Sequence, residues 1–165
     1  MSDLERNYYD ALNLTIAQHP SESLDRMMAK LLAFSINAQA GLVFTKGLSS
    51  VDEPDIWIRS LDEQTSLWID VGEPSPDRIK KASRQAGEVK VYSFNSKSDV
   101  WWEQERSKFA MLKVSIFRFD SQSVRAFSAL VERTMDLSIT ITGDSAFIAT
   151  DTGECEVAWE PLQVV

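Results

Sequence analysis

Two short apolar segments of the chain each carry one aspartate: Asp55 in Glu53-Pro54-Asp55-Ile56-Trp57-Ile58-Arg59, and Asp70 in Leu67-Trp68-Ile69-Asp70-Val71. A helix opened by Ser75 and Pro76 follows at once, with Lys80 and Lys81 inside it. Two carboxylates on neighbouring strands with an ammonium nearby are the residue set of a magnesium-dependent phosphodiesterase. The carboxylates share the cation, and the ammonium orients a water or stabilises the charge of the phosphorane. An acid inside an apolar run also costs desolvation unless it is paired or metal-bound. The plainer reading makes Asp55 a solvated strand end and Asp70 a carboxylate beside a turn. For the lysines the plainer reading is a solvated helix face. Successive helical residues are about 100° apart, so neither lysine points squarely along the face formed by Ile79, Ala82 and Ala86.

The elements that would position these groups are legible from periodicity. Residues 55–60 and 66–71 read as a hairpin joined through Asp62, Glu63 and Gln64. A two-residue turn at Asp62 and Glu63 sets Asp55 opposite Asp70 and Trp57 opposite Trp68, and a slip of one residue reverses the faces. Gly72 and Pro74 end the second strand. Ser75-Pro76-Asp77 starts a helix over 77–86, with proline at its first position. Small residues on its inner face imply close packing on a sheet, and the strand that follows over 88–94 is expected to run parallel to its neighbour.

Upstream, Tyr8 to Gln18 alternates as a strand. Ser21 is a good N-cap for a helix carrying Leu24, Met27, Met28, Leu31 and Leu32 at helical spacing, and residues 41–45 form a short strand. Glu22 falls in the first turn of that helix, where it favours the positive helix end and can pair with Arg26. Downstream, Ser98 or Asp99 caps a helix with Trp101, Trp102 and Phe109. A strand over 112–119 and a helix over about 122–133 follow, then two or three strands over 135–159 with turns at Gly143-Asp144 and Thr152-Gly153.

With 165 residues, 44% of them hydrophobic, the chain suits one domain with a proper core. The formal net charge of −8 argues against coating nucleic acid by bulk positive charge, so any such contact must be local. The single cysteine, Cys155, excludes an internal disulfide and a cysteine-rich zinc site, and is most simply a small apolar residue. One histidine, His19, is too few for histidine-based metal ligation or a histidine-dependent triad. No apolar run approaches a membrane span and the N-terminal residues lack an apolar signal core. A cytoplasmic protein without a membrane partner is expected, as a monomer. The five tryptophans offer stacking surfaces for bases, but core packing suits most of them better. One of the adjacent pair Trp101 and Trp102 must point away from the deepest core.

The strings His19-Pro-Ser-Glu-Ser-Leu-Asp-Arg-Met-Met28, Asp52-Glu-Pro-Asp-Ile-Trp-Ile-Arg59, Leu67-Trp-Ile-Asp-Val-Gly-Glu-Pro74, Arg78-Ile-Lys-Lys-Ala82 and Trp101-Trp-Glu-Gln104 resemble the YaeQ family of bacterial proteins over nearly the whole chain. The element order over 21–94 is similar to the core of the PD-(D/E)XK nuclease superfamily. The resemblance implies an α/β (α+β) single domain with a mixed central sheet and flanking helices. Its nuclease-like core would cover about 21–94, with C-terminal helices and strands over 98–160. It also implies that Glu22, Asp55 and Asp70 hold Mg²⁺ or Mn²⁺. The superfamily's lysine falls at Gly72; Lys81, or else Lys80, would supply it from the next helix. Glu88-Val89-Lys90 mimics the missing motif on the wrong strand. Relatives in the family tend to start with a strand ahead of the segment matching Asp3 to Arg6, which leaves two expectations: an edge strand is missing here, or the start of the chain is misassigned. Two functions follow: a metal-dependent nuclease or phosphodiesterase acting on DNA or RNA through a local groove, and a non-catalytic interaction module on a degenerate form of the fold.

Overall fold

Alternation and helical spacing divide the chain into strands and helices that build one curled mixed sheet. The computed structural model describes residues 2–3, 8–9, 12–15, 24–45, 53–62, 64–130, 134–150 and 153–164, with the backbone alone at 2–3, 8–9, 12–15 and 134–137. The elements are β1 (Ser2–Asp3), β2 (Tyr8–Tyr9), β3 (Leu12–Thr15), α1 (Leu24–Ile36), β4 (Leu42–Phe44), β5 (Ile56–Arg59), β6 (Thr65–Val71), α2 (Pro76–Gln85), β7 (Ala86–Ser93), α3 (Ser98–Phe109), β8 (Ser115–Phe119), α4 (Ser121–Ala129), β9 (Thr134–Thr142), β10 (Ser145–Thr150) and β11 (Gly153–Gln163). The sheet runs β2-β1-β9-β10-β11-β8-β7-β6-β5-β4, with β3 also paired to β9. The strands from β4 to β6 form an antiparallel meander, whereas β6, β7 and β8 are parallel. The long strand β11 pairs with β10 through residues 153–158 and then with β8, around an irregularity between Pro161 and Gln163. Proline lacks a ladder donor, so it is accommodated at such a break.

The two faces of the sheet bury separate clusters. Ile56, Ile69 and Tyr92 pack with Met28 and Leu32 of α1 and with Val124 and Phe127 of α4. On the other face Trp68, Val89, Val91 and Ile116 pack with Ile79 and Ala82 of α2 and Phe109 of α3. Pairing of Trp57 with Trp68 and of Asp70 with Val91 puts all four on the α2 face, while Lys90 lies on the α1 face. There its Nζ donates to Asn37 Oδ1 at 2.7 Å. Asn37 Nδ2 in turn donates to Ala33 O at 2.8 Å and to the Tyr92 hydroxyl at 2.9 Å, so one buried amide ties the end of α1 to β7. Asn37→Leu keeps the volume and removes all three bonds. It is expected to cost about 2 kcal/mol in urea unfolding, and a loss below about 0.5 kcal/mol would show that the neighbours re-pair.

Several boundaries differ from expectation for identifiable reasons. The N-terminal run is two short strands, Tyr8–Tyr9 and Leu12–Thr15, while Ser21 and the expected cap lie outside the described residues. Ser2–Asp3 is itself a strand, parallel to β9. The β5–β6 hairpin closes at Ser60 N to Gln64 O, 2.9 Å, leaving three residues between them rather than two. A register shift between Ile58 and Arg59 absorbs the extra residue, and Trp57 still faces Trp68. Neither Ser98 nor Asp99 caps α3: Lys97 occupies the cap position without a side-chain bond, because Ser98 is buried and its hydroxyl donates to Asn95 O at 2.7 Å. Helix α4 starts one residue earlier than expected and ends at Ala129. Asp120 caps it by accepting from Ser123 N at 3.1 Å.

Candidate functional site

The C-terminal end of β6 and the residue entering β5 meet at one corner of the sheet. Asp55 lies just ahead of the first paired residues, Ile56 and Ile69, and its N–H donates to Ile69 O at 3.1 Å. Both aspartates are buried, at 6% and 3% exposure. Such burial demands partners. Asp55 Oδ1 accepts from Arg26 Nη2 at 2.7 Å, and its Oδ2 from the backbone N–H of Val71 at 2.8 Å. Asp70 Oδ2 accepts from Arg78 Nε at 2.9 Å, with a longer bond from Arg78 Nη2 to Oδ1 at 3.3 Å. Each guanidinium is anchored a second time on a main-chain carbonyl: Arg26 on Val71 O at 2.6 Å and Arg78 on Glu53 O at 2.7 Å. Two carboxylates therefore face two guanidiniums, and the corner is close to neutral.

Burial pushes the Asp70 carboxyl above its usual range even though Arg78 pulls the other way, and the charge of Asp55 nearby adds to the upward push. The indole of Trp68, two residues back on the same face, lies close enough to favour the ionised form. Its Nε1 is buried without a hydrogen-bond acceptor at bonding distance among the described residues. The contact is best taken as a dipole directed toward Asp70 rather than a formed bond.

Gly72 adopts a φ of +123°, a region essentially closed to side chains, and its N–H donates to Tyr92 O at 2.8 Å. A Cβ built there would stand 3.0 Å from Arg26 Nη1. A side chain at this position would therefore press on the Arg26 guanidinium.

Asp55 and Asp70 lie near enough for the charge of one to act on the other, and each is held by an arginine rather than by a lysine. Ser75 caps α2 by accepting from Arg78 N at 3.2 Å, and Ile79 and Ala82 turn inward. Lys80 and Lys81 are therefore exposed, and neither side chain forms a hydrogen bond or ion pair among the described residues. Arg78, on the flank between the two faces, reaches Asp70 in their place. Lys90, as expected of a decoy, lies on the opposite face of the sheet from Asp70 and bonds Asn37. Glu22 lies outside the described residues.

Arg78 could have been found in the sequence: it precedes buried Ile79 by one residue and buried Ala82 by four, so its long side chain can fold back over the inner face. Nothing in the periodicity of α1 distinguishes Arg26 in the same way. For Mg²⁺ or Mn²⁺ the donor set as arranged does not fit. Both oxygens of each carboxylate already accept hydrogen bonds, and among the described residues no third acid, histidine or cysteine joins them to form a cation site. Among the tryptophans, Trp68 and Trp159 are core, as expected. Trp101 is half-buried, donates from Nε1 to Pro74 O at 3.0 Å and packs on Phe109. Burial raises the Cys155 thiol, which lies against the α1 face cluster.

A single-domain α+β protein with a curled mixed sheet and an acid–arginine corner is thereby defined, and no helix among the described residues is long and apolar enough to cross a membrane. Comparison places it among known chains. The profile of the family described as YaeQ protein matches residues 1–159. The uncharacterised protein YaeQ of Escherichia coli (strain K12) is 39% identical over 165 residues, covering 97% of this chain and 91% of its own length; that of Salmonella typhi is 38% identical with the same coverage. The crystal structure of YaeQ from Xanthomonas axonopodis pv. citri superposes with a TM-score of 0.92 at 34% identity, covering 99% of this chain and 94% of that one. YaeQ from Pseudomonas syringae gives 0.91 at 32%, covering 99% and 92%. The chain belongs to the YaeQ family.

Proposed function

We propose that α1 to β7 form a PD-(D/E)XK-type core whose metal-binding corner is closed by Arg26 and Arg78, and that the chain works as a binding module without catalysis. The helix, three-strand, helix, strand order with β7 parallel to β6 supports the first part. The observation that carries the second is the double anchoring of both guanidiniums. A divalent cation would have to displace two arginines, each held by a buried carboxylate and by a backbone carbonyl. Opening such pairs leaves the carboxylates exposed to their full desolvation cost.

Titration of the protein with Mg²⁺ and Mn²⁺ to millimolar levels, followed by thermal unfolding, tests this. An open site filled at 100 times its dissociation constant would add about 2.7 kcal/mol and raise the melting temperature by several degrees. No rise is expected, and no cleavage of single-stranded or duplex DNA or RNA. Mn²⁺-dependent cleavage abolished by Asp70→Asn would overturn the proposal. It would restore the reading in which Glu22, Asp55 and Asp70 hold the cation and Lys81 assists the attacking water.

A further inference from the structure

In a chain of net charge −8, helix α2 stands out: its ten residues hold Arg78, Lys80, Lys81 and Arg84 against one acid, Asp77. Beside its C-terminal end lies an open groove of about 1040 Å³ lined by residues of β5, β6 and the end of α2. The buried ring of Trp68 forms its floor, half-buried Trp57 and exposed Arg59 one wall, and Arg84 and Gln85 the other, with Gln64 at the rim. Its described lining carries two arginines and one acid, Glu53. The Arg59 guanidinium lies over the Trp57 ring, 4.7 Å from its centroid. Lys80 sits one turn before Arg84 and Lys81 one turn before Gln85, so the exposed lysines continue the two groove-side positions of the helix.

We propose that this groove binds single-stranded nucleic acid, with a base extending the Trp57–Arg59 stack and phosphates following Arg84, Lys80 and Lys81 along α2. The inference rests on the reading of the chain as a binding module and names its partner. An indole–guanidinium stack offers a flat surface that any base can use, and amides at the rim can meet base edges. Separate lysines and arginines suit a phosphate chain. The acidic remainder of the surface opposes wrapping of a long duplex, which confines contact to this strip.

Fluorescence anisotropy with labelled 12-residue single-stranded DNA and RNA, alongside a duplex of the same sequence, provides the test. Binding of the single strands with quenching of tryptophan emission is expected, weakening with salt at a slope of about −2 in log–log form for three phosphates neutralised. Trp57→Leu should weaken binding about tenfold. The double variant Lys80→Glu/Arg84→Glu, at two exposed sites that spare the fold, should lose more than tenfold. Arg125→Glu, on α4 across the sheet, should change nothing. Absence of binding overturns the proposal. So does equal binding of the duplex or of polyglutamate without quenching, or affinity indifferent to Trp57, Lys80 and Arg84. The two proposals fail separately: Mn²⁺-dependent cleavage removes the closed corner and leaves the groove, whereas a metal-inert chain that binds no strand removes only the groove.

Discussion

Replacing Arg78 by methionine is expected to cost about 3 kcal/mol of folding stability at pH 8, and less as the solution is acidified. The methionine keeps most of the packing over Trp68, where the guanidinium carbon lies 5.8 Å from the ring centroid, but leaves Asp70 buried at 3% exposure without its cation. Burial already lifts the Asp70 carboxyl above its ordinary value in the folded chain. The fold therefore binds this proton more tightly than the unfolded chain does. The stability withheld by the ionised carboxyl at neutral pH returns as pH falls through the raised native value, and is fully recovered below the ordinary one. Loss of Arg78 raises the native value further, so the gap between wild type and variant should narrow on acidification. Urea unfolding at pH 8 and pH 5.5 measures it, and a gap equal at both would mean that Asp70 is not the group left stranded. Asp70→Asn should be milder, because the surviving Arg78 side chain is 28% exposed and can recover water.

Gly72→Lys, which tests the proposed likeness to the nuclease core by placing a lysine two residues after Asp70, is expected to destabilise by about 2 to 4 kcal/mol and to confer no metal-dependent cleavage. Any side chain at φ +123° costs about 1 to 3 kcal/mol in backbone strain. The new Cβ also presses on Arg26 Nη1 at 3.0 Å and so disturbs the bonds to Asp55 and Val71. Gly143→Ala makes a useful contrast. Its φ is +57° and a Cβ there meets nothing within 4 Å, so about 1 kcal/mol is expected. Thermal unfolding of the two variants separates strain alone from strain with a clash; equal losses would show that Arg26 yields freely.

Much of the frame around this corner could be read from the chain because burial imposes simple periods. The apolar segments around Trp57 and Trp68 fixed the hairpin register, and the error in its turn did no harm because the bulge at Ile58 and Arg59 cancelled the added loop residue. Parallel pairing of β7 with β6 followed from the helix between them. What stayed hidden was which cations serve the acids. Periodicity says which side of a helix faces inward, and it placed Lys80 and Lys81 correctly off that face. It does not say which long polar side chain folds back across the boundary, as Arg78 does, or arrives from a helix some thirty residues earlier in sequence, as Arg26 does. The role of Gly72 was equally out of reach, since the need for its backbone conformation arises from a guanidinium placed by tertiary packing.

The course of β11 bears on how the chain reaches its native state. One portion of the sheet, from β4 to β8, is built almost wholly from neighbours in sequence, and the portion around β9 and β10 gathers the N-terminal strands. Among the described strands, β11 alone joins them, holding β10 with its first half and β8 with its second. Until residues 153–163 have been synthesised, both β8 and β10 present an open row of amides and carbonyls, which any other extended segment could occupy. Native closure therefore waits on the pairing of β11 with both partners, and the period before it is when misassembly or capture by a chaperone competes with folding.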